Sequence, residues 1–117
     1  MRYFDELSEV KKNKLRTLLV EVGILPRYKG YDLLKDSIGL YLKGVTKSEN
    51  IKSAIAEEYG ITASAAEKNC IHAISIAEQR NMLKKINAYY GADVIEDNHC
   101  SFREFIGLIA EILNEKI

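Results

Sequence analysis

The sequence predicts an all-α protein: a compact bundle of about six helices that contains a helix-turn-helix and no wing. Three observations carry this. Apolar residues return every three or four positions along nearly the whole chain and seldom alternate. Glycines at Gly23, Gly30, Gly44, Gly60 and Gly91 punctuate that periodicity. Proline occurs once, at Pro26, and there is no repeat, low-complexity stretch or Pro/Ser-rich linker. A length of 117 residues fits one domain, 1–117. The initial Met1 favours a free-standing product over a fragment.

The first helix is expected over about 8–22. Val10, Leu15, Leu18, Leu19 and Val22 form its apolar stripe, Gly23 ends it, and Pro26 follows. The basic run Lys11, Lys12, Lys14 and Arg16 lies partly opposite that stripe and reads as a solvated face in preference to a phosphate-binding patch. A second helix spans roughly 31–42, with Leu34, Ile38, Tyr41 and Leu42 on its apolar side and Gly44 at its end. Thr46-x-x-Glu49 has the spacing of a capping box, in which a hydroxyl and a carboxylate satisfy two free backbone N–H groups. A third helix follows to about 59, with Ile51, Ile55 and Tyr59 one turn apart. A long fourth helix covers 63–80 and a fifth 82–90. The stretch 92–100 is polar and reads as a loop. Ser101-x-x-Glu104 is a second capping box, opening a last helix with Phe105, Ile106, Ile109, Ile112 and Leu113 on one side.

Residues 51–80 carry the most specific local pattern. A short helix, a turn of three residues containing glycine and a longer helix make a helix-turn-helix. Ala56 sits where the helices would cross, Gly60 supplies the left-handed turn, Ile61 plugs the space beneath it, and Thr62 caps the next helix. Ala66, Cys70, Ala73, Ile74 and Ala77 form an inner stripe of mostly small residues that admits a neighbouring helix closely. The opposite face carries Ser64, Lys68, Ile71 and Ser75, flanked by Ala65, Glu67 and His72. Such a helix would offer its first turns to the major groove of a duplex. Lys68 suits guanine O6 and N7, and Glu67 suits cytosine N4. Thr62 and Ser64, with free N–H groups beside them, suit a phosphate. Arg80, Lys84 and Lys85 would neutralise further phosphates. An isoleucine at 71 suits a thymine methyl if exposed, or a protein partner, and neither if half buried. The plainer alternative is that all of these residues are the solvated side of an ordinary helix.

Composition narrows the function classes. Apolar residues make up 47%, enough for a real core, and 17 basic residues balance 17 acidic ones, for a net charge of +0. Neutrality counts mildly against nucleic acid, because duplex binders usually carry a basic excess, although one face decides the matter. No apolar run approaches the ~20 residues that span a bilayer, and no signal peptide is visible at the N-terminus, so a cytoplasmic location is expected. Cys70 and Cys100 are not a CxxC pair and read as free thiols. His72 and His99, the only histidines, lack carboxylate or thiol partners at metal-ligand spacing on a shared helical face. Glu57-Glu58 and Glu96-Asp97 read as solvated carboxylates, and there is no phosphate-cradling glycine loop. No enzyme, metal, cofactor or small-molecule substrate is expected.

Three stretches carry a family resemblance: Glu-Val-Gly-Ile-Leu-Pro-Arg-Tyr-Lys-Gly-Tyr at 21–31, Thr-Ala-Ser-Ala-Ala-Glu-Lys-Asn-Cys-Ile-His-Ala-Ile at 62–74, and Arg-Glu-Phe-Ile at 103–106. In that order, over about 12–113, the chain resembles the C-terminal effector domain of stage-zero sporulation protein A, the sporulation response regulator of the Bacillota. The resemblance implies an all-helical domain that binds double-stranded DNA sequence-specifically and controls transcription, with Ser64, Glu67, Lys68 and His72 at recognition-helix positions. It also implies that the last helix helps copies pair, and a homodimer through that helix is expected on the apolar excess at Phe102, Leu108 and Ile117; the alternative is burial of these residues in the chain's own core. There are departures. Lys68 replaces an arginine and loses its bidentate geometry, and two further expected arginines are Ala65 and Ile71 here. The connection at 45–50 is shorter and Pro26 is displaced by one residue. The family's receiver domain has no counterpart in these residues, so phosphorelay control does not carry over. The alternative function is a protein-interaction module on the same fold with lost or weakened DNA binding.

Overall fold

The computed structural model describes residues 2–115. They form seven helices in the order α1 (Arg2–Asp5), α2 (Glu9–Glu21), α3 (Lys29–Leu42), α4 (Ser48–Tyr59), α5 (Ala63–Gln79), α6 (Lys85–Tyr90) and α7 (Phe102–Glu115), with no strand among the described residues. The all-α prediction holds, with one helix more than expected. Four residues are too few to show a helical period, so α1 was invisible to pattern reading. Its Phe4 is nevertheless fully buried.

α3 is the axis around which the rest is arranged. It packs on α1, α4, α5 and α7, and it is buried from Gly30 to Leu40 at every position but the exposed Asp32. That burial takes in three polar residues, each satisfied in place. Asp36 accepts from the Phe4 N–H at 2.7 Å and from the Tyr59 hydroxyl at 2.8 Å. Ser37 donates to the Leu33 carbonyl. The Lys35 ammonium lies 4.4 Å from the centre of the Phe4 ring and 4.6 Å from that of Tyr31, with Asp32 at 3.5 Å. Burial pulls the Lys35 pKa down, and burial reinforced by Asp36 pushes that of Tyr59 up. A buried charge is tolerable only with such partners.

Local chemistry starts and stops the helices where expected in several places. Ser8 caps α2 by accepting from the Lys11 N–H. Ser101 and Glu104 close a reciprocal capping box at α7, each side chain 3.2 Å from the other's backbone nitrogen. Phe105, Ile106, Ile109, Ile112 and Leu113 line the buried side of α7.

Other boundaries differ. Val10, placed in the buried stripe of α2, is 54% exposed, because it lies in the helix's first turn, beyond the reach of the core. α3 begins two residues early, at Lys29. The capping box at Thr46 does not form: α4 starts at Ser48, after Lys47, with no side-chain cap. α6 starts at Lys85, not 82, because Asn81 takes a left-handed φ of 56° and a turn intervenes. In the basic run of α2, Lys14 and Arg16 are exposed as expected, whereas Lys11 and Lys12 are half-buried, with the Lys12 ammonium 6.0 Å from the centre of the Phe4 ring. Glu58 is not simply solvated either. It accepts from the Arg2 N–H at 3.1 Å, and burial together with Asp36 raises its pKa. The loop at 92–100 is tied down by Asn87, whose side-chain oxygen accepts from the N–H groups of Val94 and Ile95.

Candidate nucleic-acid interface

The turn between α4 and α5 sets the geometry. Gly60 caps α4 at φ 65°, ψ 35°, and a Cβ there would meet nothing within 4 Å. The backbone conformation, not crowding, is therefore what calls for glycine at this position. Two residues later the Thr62 hydroxyl accepts from the Ala65 N–H at 3.0 Å and the Thr62 carbonyl from the Ala66 N–H. Thr62 spends its side chain on the cap. The N–H groups of Ala63 and Ser64, which have no intrahelical acceptor, point out from the start of α5.

α5 divides cleanly into two faces. Ala66, Cys70, Ala73, Ile74 and Ala77 are all buried, as the sequence predicts. Their small size permits an unusually close helix contact: a Cβ on Gly30 of α3 would lie 2.4 Å from the Asn69 carbonyl oxygen and 3.0 Å from the Ala73 Cβ. Ser64, Lys68, Ile71 and His72 are exposed on the opposite side, with Ser75 half-buried beside them. This outward ridge runs between two grooves. One, of about 400 Å³, has Tyr28, Lys29 and His72 among its lining residues. The other, of about 380 Å³, includes Ser48, Glu67, Ile71, Phe102 and Arg103.

The predicted site residues fall into two groups. Thr62, Ser64, Glu67, Lys68, Ile71 and His72 share the first three turns. Arg80, Lys84 and Lys85 are exposed at the far end of α5, which by helix rise is about 25 Å from Thr62. Glu67 is already engaged, with its Oε2 at 2.7 Å from the Lys52 ammonium of α4. Sequence reading missed Lys52, because its partner lies on another helix. It also missed Arg103, whose Nε donates to the Thr46 carbonyl at 3.3 Å and which borders the groove beside Ile71. Lys29 was on view only as part of the Lys-Gly-Tyr stretch.

The other ionisable residues near α5 are structural. His99 Nδ1 lies 2.6 Å from Glu78 Oε2, and the same oxygen accepts from the Cys100 N–H. No group of three potential ligands comes together among the described residues. Cys70 and Cys100 are free, buried thiols. Burial, with Glu67 adding at Cys70 and Glu104 and Glu78 at Cys100, pushes both pKa values up to about 12, so neither is an activated nucleophile.

Residues 15–113, nearly the whole chain, match the family described as sporulation initiation factor Spo0A C terminal. The chain belongs to that family. Its members are DNA-binding regulators of sporulation and transcription. The structure gives this family's sequence pattern a physical sense. Gly23 and Gly30, far from α5 in sequence, lie against it in space: Gly23 faces Ala77, and Gly30 faces Asn69 and Ala73. Two of the three matching stretches are thus the two sides of one contact, the one that holds α5 against α3. Of the residues on which pairing through the last helix was predicted, Phe102 is buried in the core of this chain, Leu108 is half-buried against it, and Ile117 lies outside the described residues. No helix of the described residues is long and apolar enough to cross a membrane.

Proposed function

We propose that this chain is a cytoplasmic transcriptional regulator, acting as one helical domain, that binds double-stranded DNA sequence-specifically with the first turns of α5 in the major groove. The observation that carries the reading is the outward ridge Ser64, Lys68, Ile71 and His72, presented by a capped helix whose other face is fully buried. In this reading Lys68 donates to guanine O6 and N7, Glu67 accepts from cytosine N4, and Ile71 meets a thymine methyl. The N–H groups at Ala63 and Ser64 hold a phosphate, and Arg80, Lys84 and Lys85 take phosphates further along the duplex. With a net charge of +0, the reading depends on the exposed Lys68, Arg80, Lys84 and Lys85 and not on a basic excess of the whole chain.

Selection from a random duplex pool at low salt, followed by titration of the retained sequence over a salt series, tests the reading. The expected result is one recovered base pattern and an affinity that falls linearly with salt on logarithmic axes. No retention at tens of micromolar protein ends it.

One observation favours a second reading, a protein-interaction module. Ile71 is 46% exposed, an apolar residue on the ridge and at the edge of a groove. A protein partner recovered from a spore-forming host after nuclease treatment, and lost on Ile71→Ser, would support it. Self-association is tested by light scattering over a concentration series.

A further inference from the structure

We infer that Lys52 is a positioning residue for base readout by Glu67, an inference that rests on the DNA-binding reading above. Lys52 belongs to α4, the first helix of the helix-turn-helix, and reaches across to α5. Its ammonium lies 2.7 Å from Glu67 Oε2, with side-chain exposures of 21% for Lys52 and 37% for Glu67. An ion pair this accessible contributes little to folding. Its location gives it another use. Glu67 is an anion five residues into a helix that is to enter a groove walled by phosphates. Unpaired, it would be repelled and free to turn among rotamers. The Lys52 ammonium cancels that charge and fixes the carboxylate by one oxygen. A carboxylate offers about four acceptor sites, so one bond to Lys52 leaves capacity for a cytosine amine. The next residue, Lys68, is exposed, so these turns of α5 offer a donor suited to guanine as well as an acceptor suited to cytosine.

The test compares the unsubstituted protein with Lys52→Met, Lys52→Arg, Glu67→Ala and the Lys52→Met/Glu67→Ala double variant. Affinity is measured for the selected duplex, for each single base-pair change in it, and across a salt series. Lys52→Met should weaken binding to the selected duplex about tenfold and flatten preference at the same base pair that Glu67→Ala flattens. Lys52→Met should add less than about a twofold change once Glu67 is alanine, the sign of action through one partner. Lys52→Arg should restore preference, and the salt slope should not move. A scaffold role would not be confined to one base pair. The inference is overturned if Lys52→Met weakens binding equally with and without Glu67, if it lowers the salt slope by about one as loss of a phosphate contact would, or if it changes nothing. If Lys52→Met fails to fold, loss of preference in Lys52→Arg overturns the inference. Failure of the unsubstituted protein to prefer any duplex removes the DNA-binding reading and this inference together, whereas each of the other results leaves that reading standing.

Discussion

Along α5, one face consists of Ala66, Cys70, Ala73, Ile74 and Ala77 and is closed against α3 at the distance of a glycine, while the other consists of Ser64, Lys68, Ile71 and His72 and touches little. The inner face is governed by volume: a single added methyl has no room. The outer face is governed by which chemical groups it offers, and volume hardly enters. Ala65, Lys68 and Ile71, where the chain departs from the arginines its family resemblance leads one to expect, all lie off the buried stripe. A helix built this way can change the groups its outer face offers without changing how it is held.

The strongest way to break this contrast is Gly30→Ala. The new Cβ would meet a backbone carbonyl that cannot swing aside, so the folded state should lose about 2–3 kcal/mol in denaturant titration. An unchanged midpoint would show that the inner face is not closed as described. Lys68→Ala probes the other face. It should leave thermal stability within about 0.5 kcal/mol and cost roughly 1–3 kcal/mol of discrimination against the wrong base pair, read by competition titration. A loss of stability equal to the loss of binding would collapse the distinction between the faces.

The cysteine of the inner face sharpens the comparison through pH. Cys70, and Cys100 elsewhere in the core, keep their protons up to about 12, whereas an ordinary thiol ionises near 9.0. Above the ordinary value the unfolded chain gives up protons that the folded chain keeps, so stability is full below about 9 and declines as pH rises from there towards 12. Both thiols should resist alkylation at mildly alkaline pH and react once denaturant is added; fast labelling of the native protein would place them at the surface. The smallest effect is expected from Ile71→Arg, which changes only the exposed ridge. It should steepen the salt dependence of DNA binding by about one phosphate contact and leave the melting temperature unchanged.

Much of the site was legible because it is written locally. Gly60 and Thr62 specify a left-handed cap and an N-cap from their own chemistry, and the burial of Ala66, Cys70, Ala73, Ile74 and Ala77 follows from helical spacing. Capping can also mislead: Thr46 and Glu49 have the same spacing as Ser101 and Glu104, but only the second pair closes. The spacing is necessary, and where the helix starts depends on how the preceding loop is drawn over the core.

The sequence alone determined the helical class, the helix-turn-helix at 51–80, the buried face of α5 and the cap of α7, because these depend on residues three or four apart that meet in any helix. Only the tertiary structure decided that Lys52 grips Glu67, that Glu78 meets His99, that Asp36 and Lys35 lie inside the core, and that Val10 does not. Those outcomes depend on where one helix crosses another. Many side chains distant in sequence jointly fix a crossing, and no short stretch of the chain records it.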